Sequence, residues 1–186
     1  LFILMMVSVV GGRIIPAFTV AALRQRGQDV RVTDQKQLDS LCLLSLLGLT
    51  LSFISYSEAG AIPAGVAYLA AFLHGLRLRH YHSRRSLVDP LLWILHAGYL
   101  WLVVGLFLLG VALGGHLQLS VALHALTVGA IGSLTLGMMC RVALGHTGRA
   151  LLCGRATVLS FWLIQLAAAV RVLGPLLWPE LYLQWI

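Results

Sequence analysis

The side chains able to do chemistry in this sequence are histidines and arginines set inside apolar runs. Of seven histidines, His74, His96, His124 and His146 stand within or at the edge of such runs, and so do Arg13, Arg141 and Arg171. An ionisable group held in hydrocarbon is costly, so each marks a functional candidate. Neutral imidazole is the commonest nitrogen ligand for metals and a frequent axial ligand of haem iron. The runs are expected to hold no Asp or Glu. That argues against a carboxylate proton relay, and against di-iron or Mg²⁺ sites, which want oxygen donors. Nitrogen ligation of haem iron or copper remains. An arginine in such a run pairs with carbonyls, snorkels to the headgroups, or holds an anion such as a carboxylate. Arg171 is expected to snorkel. His80, His82 and His116 fall between the runs and read as solvated surface histidines.

The run from 119 to 144 is the richest. At 100° per residue, His124, Thr127, Ile131, Thr135 and Met138 form one stripe, which points an imidazole, two hydroxyls and a thioether the same way. Ala125, Gly129, Ser133 and Gly137 form another, continuing to Arg141 and Gly145. Close packing of a neighbouring helix explains the second stripe. The first is either a core face, with His124 bonded to a neighbouring carbonyl, or a ligand face. After it comes a dense polar turn, Arg141-Val-Ala-Leu-Gly145-His146-Thr147-Gly148-Arg149. Its glycines let the backbone turn and Thr147 can cap the freed groups. Two arginines and a histidine so close together favour function over a plain helix end.

Depth sorts the histidines. His124 lies about a turn and a half into its run from one side, and His96 lies similarly deep from the other. At 1.5 Å rise per residue the two are ~16 Å apart along the membrane normal, too far to share one metal ion. His74, His96 and His146 are expected to share a neighbourhood with Met138, Met139 and Arg141. Tyr99 stands one turn beyond His96.

These residues must be positioned by membrane helices. The chain has 186 residues, 60% of them hydrophobic and 10% charged, with a mean hydropathy of +0.93. Soluble domains are about 45–50% apolar and about 25% charged. Disorder, collagen, a disulfide-stapled module and a nucleic-acid-binding domain are excluded together. Six runs approach the ~20 residues a bilayer requires: 1–23, 38–57, 61–76, 91–113, 119–144 and 157–177. Pro16 should kink the first, and Pro63 fits the first turn of the third. The expected fold is an all-α polytopic transmembrane bundle, one domain over 1–186. The net charge of +7 sits between the runs. Segments 24–37, 77–90 and 145–156 carry the basic residues, Arg77 among them, while 58–60 and 114–118 carry none. Positive-inside alternation therefore puts the three basic segments in the cytoplasm and Glu58, His116 and Glu180 outside. Cys42, Cys140 and Cys153 are too few for a disulfide framework and are expected to be reduced. No signal peptide is visible. Leu1 at one end and Gln184-Trp185-Ile186 at the other fit a piece of a longer polytopic protein.

Three stretches carry a resemblance. Gly11-Gly12-Arg13-Ile-Ile-Pro16-Ala-Phe18-Thr19, Leu95-His96-Ala-Gly-Tyr99-Leu-Trp101, and the segment from His124-Ala-Leu-Thr127-Val-Gly129 through Met138-Met139-Cys140-Arg141 to Arg149 are similar to the NnrS family. Cys140 stands where a small residue such as Ala is expected. Members are bacterial inner-membrane proteins with roughly twelve spans, described as binding haem and copper and linked to nitric oxide stress and denitrification. The resemblance covers essentially the whole chain and places it as the C-terminal half. It implies an inner-membrane protein surrounded by lipid, with nitric oxide or a nitrosylated species as partner. His96, His124, Arg13, Arg141 and Tyr99 would contact the cofactor. His74, His96, His124, His146 and Met138 would be metal ligands. No nucleophile or acid–base pair is recognisable, so turnover and protective binding both stay open. The alternative is a transporter or channel-like protein with structural histidines.

Overall fold

Backbone in hydrocarbon must satisfy its hydrogen bonds internally, and each apolar run does so as a helix. The computed structural model describes residues 1–55 and 60–178, and no strand occurs among them. The helices are α1 (Phe2–Gln25), α2 (Lys36–Ser55), α3 (Ala61–Arg79), a single turn α4 (Ser83–Ser86), α5 (Pro90–Leu113), α6 (Leu119–His124), α7 (Ser133–His146) and α8 (Arg155–Leu177). Residues Ala125–Gly132 form a π-helix that joins α6 to α7, so the three make one span. Six spans result, each long and apolar enough to cross a bilayer. The expectations for Glu58, for Glu180 and for Gln184-Trp185-Ile186 lie outside the described residues.

Local chemistry sets the ends. Asp89 caps α5 by accepting from the Leu91 amide (3.0 Å), with Pro90 in the first turn. Pro63 sits in the first turn of α3. α1 remains one helix through Pro16. Thr147 caps α7, its hydroxyl donating to the Ala143 carbonyl (2.7 Å), and Gly148 takes the positive φ of 65° that turns the chain. Two boundaries differ from expectation. α3 runs on to Arg79 and carries Arg77 inside the span, while α2 starts at Lys36 and puts Asp39 in its first turn.

α5 is the centre of the bundle. Of its most apolar window 56% is buried, against 17% for α8, which lies outermost. It packs against α3 on one side and against the α6–α7 span on the other. The small-residue stripe is the packing face: Ala125, Gly129, Ser133 and Gly137 are all buried. The fit is reciprocal. A Cβ on Gly98 would lie 2.8 Å from Leu134 Cγ and 3.1 Å from its amide nitrogen, and one on Gly129 would lie 2.6 Å from Trp101. Glycine on both surfaces lets the two backbones meet. Gln165 of α8 ties the layers, accepting from Trp101 Nε1 (2.8 Å) and donating to Ser133 Oγ (2.7 Å).

The other stripe does not form a ligand face. Thr127 and Thr135 are exposed, and His124, Ile131 and Met138 are only half-buried. The expected alignment assumed an α-helical turn throughout, whereas i→i+5 bonding over Ala125–Gly132 winds more residues into each turn. Residues on either side of it are rotated out of line.

Candidate functional site

Two helices each present a pair of functional side chains at i and i+3, and the pairs face each other. α3 offers His74 and Arg77, and α5 offers His96 and Tyr99. His74 and Tyr99 stack with ring centroids 6.0 Å apart. Tyr81, in the turn after α3, closes the group at 5.4 Å from Tyr99 and 6.4 Å from His96. Tyr81 and Tyr99 are fully enclosed, and His74, Arg77 and His96 are buried. Burial holds the Tyr81 phenol well above the usual tyrosine range.

Hydrogen bonds fix the imidazoles. The Thr19 hydroxyl donates its one proton to the Ile15 carbonyl (2.7 Å), so at 2.9 Å it accepts from His96 Nε2. His96 Nδ1 faces the Ser83 hydroxyl at 2.9 Å, which also lies 3.4 Å from the Leu78 carbonyl. At His74 the partner of Nδ1 is the Ala70 carbonyl (2.9 Å), which can only accept. That puts the proton on Nδ1 and leaves the Nε2 lone pair toward Ser8 Oγ at 3.0 Å. As neutral rings the two imidazoles hold opposite tautomers, His74 protonated on Nδ1 and His96 on Nε2. An Nδ1–H bonded to a carbonyl, with Nε2 as the basic nitrogen, is the arrangement of many metal-ligating histidines.

Arg77 is the buried cation of this cluster. Its Nη2 meets Asp39 Oδ1 at 2.7 Å, and Nη1 donates to the Ser8 carbonyl (2.9 Å), Ser8 Oγ (3.3 Å) and the Tyr99 hydroxyl (3.3 Å). The guanidinium lies against Gly12 so closely that a Cβ there would overlap it. Gly12 thus makes room for an arginine two helices along the chain, on α3. Two expectations are corrected here. A carboxylate does lie within a span, because Asp39 is inside α2, and Arg77 is a buried residue of the core rather than part of a basic loop.

The remaining candidates are dispersed. His124 Nε2 accepts from Arg171 Nη1 (3.2 Å), so Arg171 turns to a histidine instead of snorkelling, and the His124 Nδ1 is buried without a partner. Arg141 is buried with its guanidinium carbon 4.2 Å from the Phe18 ring centroid, a cation–π contact. Arg13 is exposed and lines a groove of about 200 Å³ between α1 and α2, together with Asp39 and Arg77. Met138 lines a separate apolar groove of about 370 Å³. His146 is exposed at the end of α7, so the expected grouping of His74, His96 and His146 holds for the first two alone. In the polar turn 141–149 Thr147 caps α7 and Arg141 is buried. Among the described residues no three His, Cys, Asp or Glu side chains stand together as a metal site. Ser8, Thr19, Asp39, Tyr81 and Ser83 are the cluster members that sequence reasoning missed. Hydroxyls are too common in helices to stand out, Asp39 lay at an expected span edge, and Tyr81 lay in the expected connection 77–90.

The sequence model of the family described as NnrS protein matches residues 1–186, so the chain belongs to the NnrS family. No curated protein and no solved structure matches it.

Proposed function

We propose that this member of the NnrS family is an inner-membrane protein of the nitric oxide response that holds haem or copper through imidazole nitrogens. Family membership supports the nitric oxide link, and the paired, buried, neutral His74 and His96 support the ligand chemistry. The observation that carries the reading is the His74 tautomer, whose basic Nε2 is held by nothing stronger than a serine hydroxyl. A metal would take that nitrogen in place of Ser8. His96 has both nitrogens engaged, so its ligation would require release from Ser83 or Thr19. His124 is a second, separate imidazole beside Arg171. These residues offer single donors, so a bound metal is completed by donors beyond the described cluster. When bound, haem iron or copper would supply a site for nitric oxide. Tyr99 and Tyr81 with the Asp39-paired Arg77 would supply a buried wall of hydrogen-bonding groups near it. Arg13 and Arg141 remain candidates to hold an anionic group such as a propionate. Association with denitrification follows from the same reading.

The test is metal and haem content of the purified protein and of single variants. His74→Ala or His96→Ala should lower bound haem or copper several-fold, as should His124→Ala if it holds a second site. Unchanged content in all three variants overturns the assignment. The transporter reading gains no support from the fifth span, which stays helical through its π-stretch instead of unwinding.

A further inference from the structure

The arginine-rich end of the bundle carries a feature that the imidazole cluster does not use. Between the last turn of α3 and α4 lies an open groove of about 560 Å³, lined by the exposed Arg79, Arg84 and Arg85 with His82 and Ser83 among others. None of these three arginines has a carboxylate partner among the described residues; the ion pairs there belong to Arg26, Lys36 and Arg77. Three arginines lining one groove concentrate positive charge there, which attracts an anion. The chain reverses there through His82, the one described non-glycine residue with positive φ (55°). That reversal brings Arg79 from α3 and Arg84 and Arg85 from α4 to the same groove. The groove at Arg13 is less suited to an anion, because Asp39 lines it.

We propose that this arginine-lined groove binds a phosphate group, supplied either by the headgroup of an anionic phospholipid or by free phosphate. Guanidinium pairs with phosphate oxygens two at a time, which a tight arginine cluster exploits and a diffuse basic surface does not. The groove lies at the end of a membrane-spanning helix, and basic pockets between membrane helices suit lipid phosphates. It also adjoins the histidine cluster. Ser83 lines the groove and bonds His96 Nδ1 at 2.9 Å, so an occupied groove steadies the turn that orients that imidazole. The site does not depend on metal binding.

Arginines at this end also serve topology, so the test must separate a local site from general charge. The full chain is placed in nanodiscs of phosphatidylcholine alone, of phosphatidylcholine with phosphatidylglycerol, and of phosphatidylcholine with added inorganic phosphate. Retained lipid is read by native mass spectrometry and stability by thermal unfolding. Phosphatidylglycerol should be retained and should raise the melting temperature. The charge-preserving triple variant Arg79→Lys, Arg84→Lys, Arg85→Lys keeps the orientation signal and should retain about tenfold less. The variant Arg149→Gln, Arg155→Gln, altered in another connection at the same end, should bind as the unmodified protein does. A melting shift from phosphatidylglycerol alone assigns the phosphate to lipid. An equal shift from inorganic phosphate, with displacement of the lipid, assigns it to free phosphate. Equal retention in the triple lysine variant, equal loss in the Arg149/Arg155 variant, or no retention above phosphatidylcholine together with no melting shift from inorganic phosphate overturns the proposal.

Discussion

Arg77 shows what single residues contribute to this molecule. A guanidinium buried among three helices is tolerable because Asp39 neutralises it and Ser8 and Tyr99 accept its protons. Removing one partner of a buried pair costs about 3–5 kcal/mol, and less where the partner is part-exposed, as Asp39 is. Asp39→Asn should therefore lower unfolding stability by about 1–3 kcal/mol, and far less in an Arg77→Met background; equal costs in both backgrounds would show no coupling. Gly12→Ala should displace the guanidinium and cost stability in the same way, whereas Gly65→Ala, where open space surrounds the site, should not. Tyr81 gives a pH dependence. Its folded form keeps a proton that the unfolded chain releases above about pH 10, so stability falls as pH rises through that range. Tyr81→Phe should lose less stability than the unmodified protein between about pH 9 and pH 11. His74, His96 and Tyr99 were legible in the sequence because ionisable and aromatic groups in apolar runs stand out. Their partners were not legible, because nothing in spacing shows that Thr19 of α1 reaches His96 of α5.

Helices as units were far more legible than the contacts between them. All six spans, the first-turn role of Pro63 and the packing role of the Gly129 stripe follow from hydropathy and small-residue spacing. The ends were harder. The basic residues at 77 and 79 mark a loop by charge, yet α3 continues through both, because the part-exposed Asp39 on α2 satisfies the first. The π-stretch was invisible, since a slipped hydrogen-bond register leaves no signature in residue type, and it dissolved the expected His124–Met138 stripe. The α5–α7 contact supplies the test at this scale. Gly98→Ala puts a methyl group against Leu134 and its backbone nitrogen, so it should lower stability by about 1–3 kcal/mol in a detergent unfolding titration. A neutral result there would mean the two helices do not approach as closely as described.

The whole molecule is a layered bundle with α5 inside, α8 outermost and the arginine-rich connections gathered at one end, where Arg26 meets Asp89 at 3.5 Å. We read that end as cytoplasmic from the charge pattern. With the native cysteines replaced, a cysteine at Leu87 should be shielded from a membrane-impermeant thiol reagent in intact cells, and one at His116 should be reached. The opposite pattern would invert the orientation. With that orientation, the proposed ligands His74 and His96 would lie toward the cytoplasm. The most direct test of that centre is anaerobic addition of nitric oxide to the purified protein in mild detergent, with haem and copper quantified on the same sample. The expected result is bound haem or copper together with an absorption change on adding nitric oxide, both diminished in His74→Ala. Folded protein that carries neither haem nor copper, and whose spectrum nitric oxide leaves unchanged, would contradict it.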